Sequence, residues 1–326
     1  MDKEILVVKN MKKYFPTKTE GRFVKAIDGI SFSIHENEVV GLVGESGSGK
    51  STTAYAIMGM HGITEGEVYF KGQDISMVAK ERPLELKRDI QIVFQDPGTS
   101  LNPKRTIGNI LELPLKVHNI VPKAQRFLYA QELLETVGLS PSTAYKYPSS
   151  LGGGERQLVA IARALSTNPS FMVLDEPTST LDVSVQAKII NTLMDIRKER
   201  GISYLFITHD MSLMRNIADR VAIMYLGHIV EMATTAEFFQ RPQHPYTRML
   251  ISSIPVVLES EEKLKPDPVQ SQGEIPSPVN VPSGCSFHTR CPYANETCGT
   301  QVPPCVEISE GHQVWCHYPG IRETTD

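Results

Sequence analysis

No stretch of this sequence approaches the roughly 18–20 consecutive apolar residues that a membrane-spanning helix needs. The first residues, Met1-Asp2-Lys3-Glu4, lack the pattern of a secretory signal. Basic charge is not in excess either. The 33 Lys and Arg stand against 37 Asp and Glu, for a formal net charge of −4. That removes the global electrostatic reason to expect a nucleic-acid partner and leaves room only for a local patch. No internal repeat is visible. The first 284 residues contain no cysteine, and all five cysteines fall between Cys285 and Cys316. These absences predict a soluble, cytoplasmic chain. In a reducing compartment, clustered thiols point to metal binding rather than to a disulfide framework. At 326 residues the chain is long enough for a large core and two domains.

Across residues 1–255 apolar runs alternate with helical patterns, which predicts an α/β layer architecture. Strands are expected at Val39–Val43, Ile90–Phe94, Phe171–Leu174 and Ser203–Ile207. The last two are continuous apolar runs, the mark of strands buried on both faces. Helices are expected at Thr52–Met60, Glu155–Thr167 and Ser184–Glu199. In Glu155–Thr167, Leu158, Ile161, Ala162 and Leu165 recur at helical spacing. Between Asp96 and Ser150 the strand signal fades. Helical patterns at Ile107–Val117 and Lys123–Val137 predict an insertion in the α/β core. From about Val257 the composition shifts. Leu258–Lys265 is charged, and Pro266–Pro282 is rich in Pro, Ser and Gln, as in a linker or extended arm.

The run Gly44-Glu45-Ser46-Gly47-Ser48-Gly49-Lys50-Ser51 fits G-x-x-x-x-G-K-[ST], between an apolar strand and a helix that starts near Thr52. Glycines let backbone N–H groups turn inward at phosphate oxygens, and the helix start adds partial positive charge. In such a loop Lys50 binds the β- and γ-phosphates and Ser51 holds Mg²⁺. Phe171-Met172-Val173-Leu174-Asp175-Glu176 ends a buried strand in two acids. Asp175 takes the Mg²⁺ position there, and Glu176 the position that orients and polarises a water. A second glycine cluster, Leu151-Gly152-Gly153-Gly154-Glu155, opens the helix at 155 and is by itself either a turn or another anion site.

That cluster resembles the L-S-G-G-Q signature of the ATP-binding cassette family. Other elements of the family follow in order. Gln95 in Val-Phe-Gln-Asp-Pro matches the Q-loop, Asp182 in Ser179-Thr180-Leu181-Asp182 the D-loop, and His209 in Ile-Thr-His-Asp the switch histidine. Phe15 stands where the family stacks an aromatic on adenine, with Tyr14 as the alternative. The resemblance implies a RecA-like P-loop NTPase core with an antiparallel β edge and an inserted helical subdomain (about 96–165). It also implies head-to-tail pairing, in which each ATP lies between one chain's phosphate loop and the other's signature loop. Lys50, Ser51, Gln95 and Asp175 would hold nucleotide and Mg²⁺. Glu176 would be the base, and His209 would contact the γ-phosphate. The sequence departs from the signature at two places: Gly152 replaces the serine and Glu155 the glutamine. Glycine cannot donate the serine's hydrogen bond to a γ-phosphate, which predicts a weakened facing site and a heterodimer with unequal sites.

The extended Q-loop Phe94–Pro103 and the segment Arg241-Pro242-Gln243-His244-Pro245-Tyr246-Thr247 resemble the ATPase subunits of bacterial dipeptide and oligopeptide importers, closer to the F-type than to the D-type subunit. Nickel importers share this subfamily. The resemblance implies two transmembrane permease partners, a peptide-binding protein outside the membrane, and a peripheral location on its cytoplasmic face. A soluble cassette ATPase, a P-loop kinase or GTPase, and a metal-binding regulatory protein are weaker readings. They leave the signature loop, the intact Lys50, Asp175 and Glu176, or the single-cassette length without a role.

The expected second unit, 256–326, is a linker and a cysteine-rich extension. By spacing alone Cys285, Cys291, Cys298, Cys305 and Cys316 leave iron–sulfur, zinc and free thiols open. The family resemblance implies a [4Fe-4S] cluster on Cys285, Cys291, Cys298 and Cys316, with Cys305 spare. His288, His312 and His317 are possible ligands, though histidines so placed are more often surface residues of a loop.

Overall fold

The computed structural model describes residues 3–254, 266, 269–271 and 273–320. The charged Leu258–Lys265 segment lies outside them. Strands β1 (Glu4–Pro16) and β2 (Phe23–His35) form a long antiparallel pair. β3 (Val39–Val43) leaves that pair for a second sheet, and β4 (Glu65–Phe70) and β5 (Gln73–Asp74) return to it. The first sheet is ordered β2-β1-β4-β5. The second sheet takes β6 (Ile90–Val93), β7 (Phe171–Asp175), β8 (Ser203–Thr208), β9 (Arg220–Tyr225) and β10 (His228–Thr234). It ends with β11 (Cys305–Ser309) and β12 (His312–Trp315), in the order β11-β12-β10-β9-β3-β8-β7-β6. The five strands from β9 to β6 are parallel, and β10, β12 and β11 add antiparallel pairs at one end.

Every residue of β3, β7 and β8 is buried, as expected where both faces are covered. The period of two sorts β3 between two cores. Val39 and Val43 face a cluster that holds Leu158, Leu174, Ile189 and Phe206. Val40 and Leu42 face a cluster that holds Ile27, Ile30, Val173 and Ile207. The first core is closed by helices and the second by the β1–β2 sheet.

The helices are α1 (Lys50–Ile57), α2 (Leu84–Asp89), α3 (Pro97–Ser100), α4 (Ile107–Val117) and α5 (Arg126–Thr136). Then come α6 (Gly153–Leu165), α7 (Val183–Arg200), α8 (Met211–Ile217), α9 (Thr235–Gln240), α10 (Pro245–Ser252) and α11 (Glu296–Thr300). Between β6 and β7 the chain is helical, as the faded strand signal predicts. Side-chain caps fix several starts: Thr106 Oγ1 accepts from Asn109, Asp182 Oδ1 from Val185, and Asp210 Oδ1 from Leu213. Gly154 has a packing role: a Cβ there would sit 2.3 Å from Val185 Cγ1, so glycine lets α6 approach α7 closely.

The tail does not stand apart from the core. β12 pairs antiparallel with β10 (Glu231↔Val314, Met232↔Gln313), so the extension expected from residue 256 ends inside the central sheet. Phe287 is fully buried in the first core, and its ring packs on Tyr225 and Tyr246 at centroid distances of 5.3 Å each.

Candidate active site

The phosphate-type loop joins the end of β3 to α1. Two of its glycines are required by space. A Cβ on Gly44 would lie 2.1 Å from the Met224 carbonyl oxygen. Gly49, the residue before α1, has φ +109, and a Cβ there would lie 2.2 Å from the Ala26 oxygen. The Lys50 ammonium donates to Gly44 O at 2.8 Å and to Glu45 O at 2.9 Å, folding back on its own loop. Burial lowers its pKa, against the opposing charges of Glu176, Asp175 and Glu45.

Ser51 Oγ donates to Asp175 Oδ1 at 2.9 Å, while Asp175 Oδ2 is buried without a hydrogen-bond partner. Burial pushes the Asp175 carboxyl up, and the hydroxyls of Ser51 and Tyr55 pull it back. A hydroxyl beside a buried carboxylate with an unused oxygen is a donor set that fits a hard divalent cation.

Glu176 follows at φ +44, a left-handed conformation that costs a non-glycine residue on the order of 1–3 kcal/mol. Its N–H donates to Ile207 O at 2.9 Å, which ties this turn to β8. Its Oε2 accepts from Gln95 Nε2 at 3.0 Å and lies 3.4 Å from His209 Nδ1. Gln95 also reaches Ser179 Oγ at 3.4 Å.

Phe15, Ser46, Gly47, Gly49, Lys50, Ser51, Thr52, Gln95, Glu176 and His209 line one cleft of about 770 Å³. Tyr14 is turned to other work. Its hydroxyl donates to Asp28 and its N–H to Thr64 Oγ1 at 2.9 Å, so Phe15 is the aromatic of the cleft. Ser48 Oγ is buried and unpaired. Glu45 directs its carboxylate away from the cleft, to Arg290 at 2.8 Å.

Gly152, Gly153, Gly154, Glu155 and Asp182 line a separate cleft of about 710 Å³, which shares no residue with the first. Within one chain the two glycine loops therefore stay apart. Gly152 N–H donates to Glu155 Oε2 at 2.9 Å, which gives Glu155 a local role at the α6 start. Asp182 is held below the usual carboxylate range by the Ser184 hydroxyl and the Val185 N–H.

In the tail, Cys285, Cys291, Cys298 and Cys316 are within electrostatic reach of one another. Burial raises the thiols of Cys291 to about 11 and Cys316 to about 12, and the neighbouring cysteines add to both shifts. Cys305 is exposed on β11 and feels only burial and Glu307. The expected metal centre is not assembled. Among the described residues no three His, Cys, Asp or Glu side chains converge as a metal-binding group. Protonated thiols do not draw together as thiolates around a metal do. The histidines hold other partners: His288 Nδ1 lies 2.8 Å from Cys285 O and His317 Nε2 2.9 Å from Gln301 O. His312 is no surface residue. It is fully buried, 2.8 Å from Glu231 Oε1.

Three residues around the first cleft escape sequence reasoning. Pro278, in the expected arm, lines the cleft, and its carbonyl accepts from Lys25 N–H at 3.0 Å. The Tyr246 hydroxyl accepts from Glu45 N–H at 3.1 Å. Arg290 pairs with Glu45 across 245 residues of sequence. No local pattern announces such long-range contacts.

Residues 27–179 match the ABC transporter family, and residues 230–298 match the oligopeptide/dipeptide transporter C-terminal region. The oligopeptide transport ATP-binding protein AppF of Bacillus subtilis (strain 168) is 45% identical over 320 residues, 96% of this chain and 97% of that protein. A dimeric ATP-binding cassette solved in a post-hydrolysis state with ADP and phosphate superposes with a TM-score of 0.62 at 30% identity, covering 71% of this chain and 98% of that one. The cbiO1 cassette of Clostridium perfringens gives 0.64 at 27%, covering 73% and 91%. The chain belongs to the ATP-binding cassette transporter family, among the ATPase subunits of the oligopeptide and dipeptide importers.

Proposed function

We propose that this chain binds and hydrolyses ATP to energise peptide import through a membrane transporter. One observation carries the reading: a single cleft gathers Phe15, the glycine loop, Gln95, Glu176 and His209, in a chain whose residues 230–298 match the peptide-transporter C-terminal region.

The residues divide the work. Phe15 stacks on adenine. The loop N–H groups from Gly47 to Ser51 and the Lys50 ammonium receive the β- and γ-phosphates, with Lys50 exchanging its carbonyl partners for phosphate oxygens. Ser51 and Asp175 hold Mg²⁺, assisted by Gln95. The ion, when bound, neutralises charge on the transferring phosphoryl group. Glu176 orients the attacking water and accepts its proton, and Gln95 and His209 orient the Glu176 carboxylate.

The second cleft serves the nucleotide of a partner ATPase subunit. Gly152 lacks the hydroxyl that would reach that γ-phosphate, so the pair is a heterodimer with unequal sites. The helical insertion meets two transmembrane permease subunits, and a peptide-binding protein outside the cell membrane delivers the solute. No nucleic acid takes part. On this reading the chain sits peripherally on the cytoplasmic face of the cell membrane, against its permease subunits; no helix among the described residues is long and apolar enough to cross a membrane.

Cys285, Cys291, Cys298 and Cys316 are the four soft donors that would have to draw together to hold a [4Fe-4S] cluster, with Cys305 outside the set. A cluster there would cross-link the loops of a tail that Phe287 and the β12–β10 pairing already dock on the main core. Anaerobic purification with iron and sulfide analysis tests this. Zinc without iron, or no metal at all, would refute it.

The transport assignment is tested by co-expression with candidate membrane subunits in vesicles. ATP hydrolysis should rise when a peptide-loaded binding protein is added outside. Stimulation by a nickel-loaded protein instead would replace peptide as the solute, and hydrolysis indifferent to any membrane subunit would overturn coupling to transport.

A further inference from the structure

The phosphate loop Gly44–Ser51 contains one acid, Glu45, and an acid is out of place beside a triphosphate. Its neutralising partner comes from the far end of the chain. Arg290 Nη1 donates to Glu45 Oε2 at 2.8 Å, and Arg290 Nη2 reaches Glu45 Oε1 at 3.4 Å, so the pair is two-pronged. The Arg290 side chain is only 8% exposed and the Glu45 side chain 27%. The guanidinium lies over the rings of Tyr225 and Phe287, 5.7 and 5.8 Å from their centres, and Nη2 also donates to Ser271 Oγ at 3.3 Å. Three contacts thus fix the fork before it meets Glu45.

The loop is held at the same point by its backbone. Glu45 N–H donates to the Tyr246 hydroxyl, and Tyr246 packs on Phe287 of the tail. Glu45 O accepts from Lys50. A path of direct contacts therefore runs from the cysteine-rich segment through Arg290 and Glu45 to the lysine that receives the phosphates. The same tail also supplies Pro278 to the lining of the cleft.

We infer that Arg290 is a positioning residue of this chain's own nucleotide site: acting through Glu45, it cancels the loop's one acidic charge and holds the loop for phosphate, so that ATP affinity depends on the docked tail. The inference rests on the reading of Gly44–Ser51 as the ATP site. Without Arg290, the Glu45 carboxylate is released beside the β- and γ-phosphates, where it repels them and competes for Lys50. Chemistry at Glu176 is untouched, so the loss falls on binding.

The experiment uses the assembled transporter with ATP as the probe. Wild-type saturation by ATP checks the underlying reading by itself; failure there removes that reading, whatever Arg290 does. Arg290→Gln should raise KM for ATP roughly tenfold with kcat nearly unchanged. Adding Glu45→Gln to it should bring KM back to within about twofold of wild type, because the repelling charge is gone. A residue that merely secures the tail would not be rescued by removing Glu45. An unchanged KM in Arg290→Gln, or no rescue in the double variant, overturns the inference. If Arg290→Gln does not fold, Arg290→Met keeps an apolar stem against Tyr225 and Phe287 and loses the charge. A raised KM then supports the inference and a wild-type KM overturns it.

Discussion

Gln95 Nε2 donates to Glu176 Oε2 at 3.0 Å, joining the end of the β6 strand to the turn after β7 at the oxygen that His209 also approaches. The hydrogen bond fixes the direction of a carboxylate whose backbone is already held in the left-handed region. A base so constrained is aimed before nucleotide arrives. Glu176→Gln keeps the shape and removes the proton acceptor. Hydrolysis should fall by about 10²–10⁴-fold with ATP affinity retained, leaving ATP trapped in a closed pair of subunits. Single-turnover phosphate release with radiolabelled ATP measures it. Hydrolysis at the wild-type rate would show that Glu176 is not the base.

Asp175 gives a prediction with opposite signs for stability and binding. Burial raises its pKa above 3.8, so its contribution to folding stability is present below 3.8 and is lost as pH rises through the raised folded value. At neutral pH the ionised carboxylate, with Oδ2 unpaired, burdens the metal-free protein. Asp175→Asn should leave the nucleotide-free melting temperature equal or higher. Mg²⁺-dependent ATP binding should weaken by roughly 10- to 100-fold, with binding in excess chelator little changed. A variant that melts lower and binds Mg²⁺–ATP normally would remove Asp175 from the cation position.

Legibility in the sequence followed the range of the interactions. β3, β7 and β8 read clearly because strands buried on both faces are continuous apolar runs. α4 at Ile107–Val117 matches its expected bounds because its apolar residues keep helical spacing. β1 and β2 gave no such signal. Their pairing shifts register after Glu4, Val8, Met11 and Lys13, which breaks the alternation that marks a strand. Among the site residues, the glycine loop, Gln95, Glu176 and His209 were legible because each sits in a short motif. Arg290, Tyr246 and Pro278 were not. Each reaches the cleft through tertiary packing of the tail, and the β12–β10 pairing that seats the tail joins short strands far apart in sequence.

Gly152 predicts a gain of function by a single hydroxyl. Its φ of −67 suits any residue, and the nearest atom to a Cβ there is Glu155 Oε2 at 3.7 Å, so serine fits without strain. Serine at this position would cap α6 and present a donor to the partner's nucleotide. A hydrogen bond to a charged group is worth roughly 1.5–3 kcal/mol, at least about tenfold in affinity. In the reconstituted pair, Gly152→Ser should tighten ATP at the site this loop faces and leave the Lys50 site unaltered. Equilibrium titration of each site, with the other disabled, reads the difference. Unchanged affinity at the facing site would remove Gly152 as its limit.

His312 ties the tail to the core by charge as well as by strand pairing. Its Nε2 lies 2.8 Å from Glu231 Oε1, and its Nδ1 faces Glu237 Oε2 at 3.5 Å. Glu231 is itself fully buried and accepts from the N–H groups of Gln243 and His244, both at 2.8 Å. Burial alone would lower the His312 pKa, but Glu231 and Glu237 outweigh it and raise the value above 6.5. The sign follows from linkage. A raised folded pKa means that the stabilisation is complete below 6.5 and is lost as pH rises through the folded value. The tail should therefore dock most firmly in mildly acidic solution and loosen toward alkaline pH. Comparing the melting temperature of the wild type with that of His312→Gln from about pH 6 to about pH 9 isolates this contribution, because the glutamine cannot titrate. The wild-type advantage should shrink steadily across the range. A gap that stays constant with pH would mean that His312 is held neutral, and that strand pairing alone seats the tail.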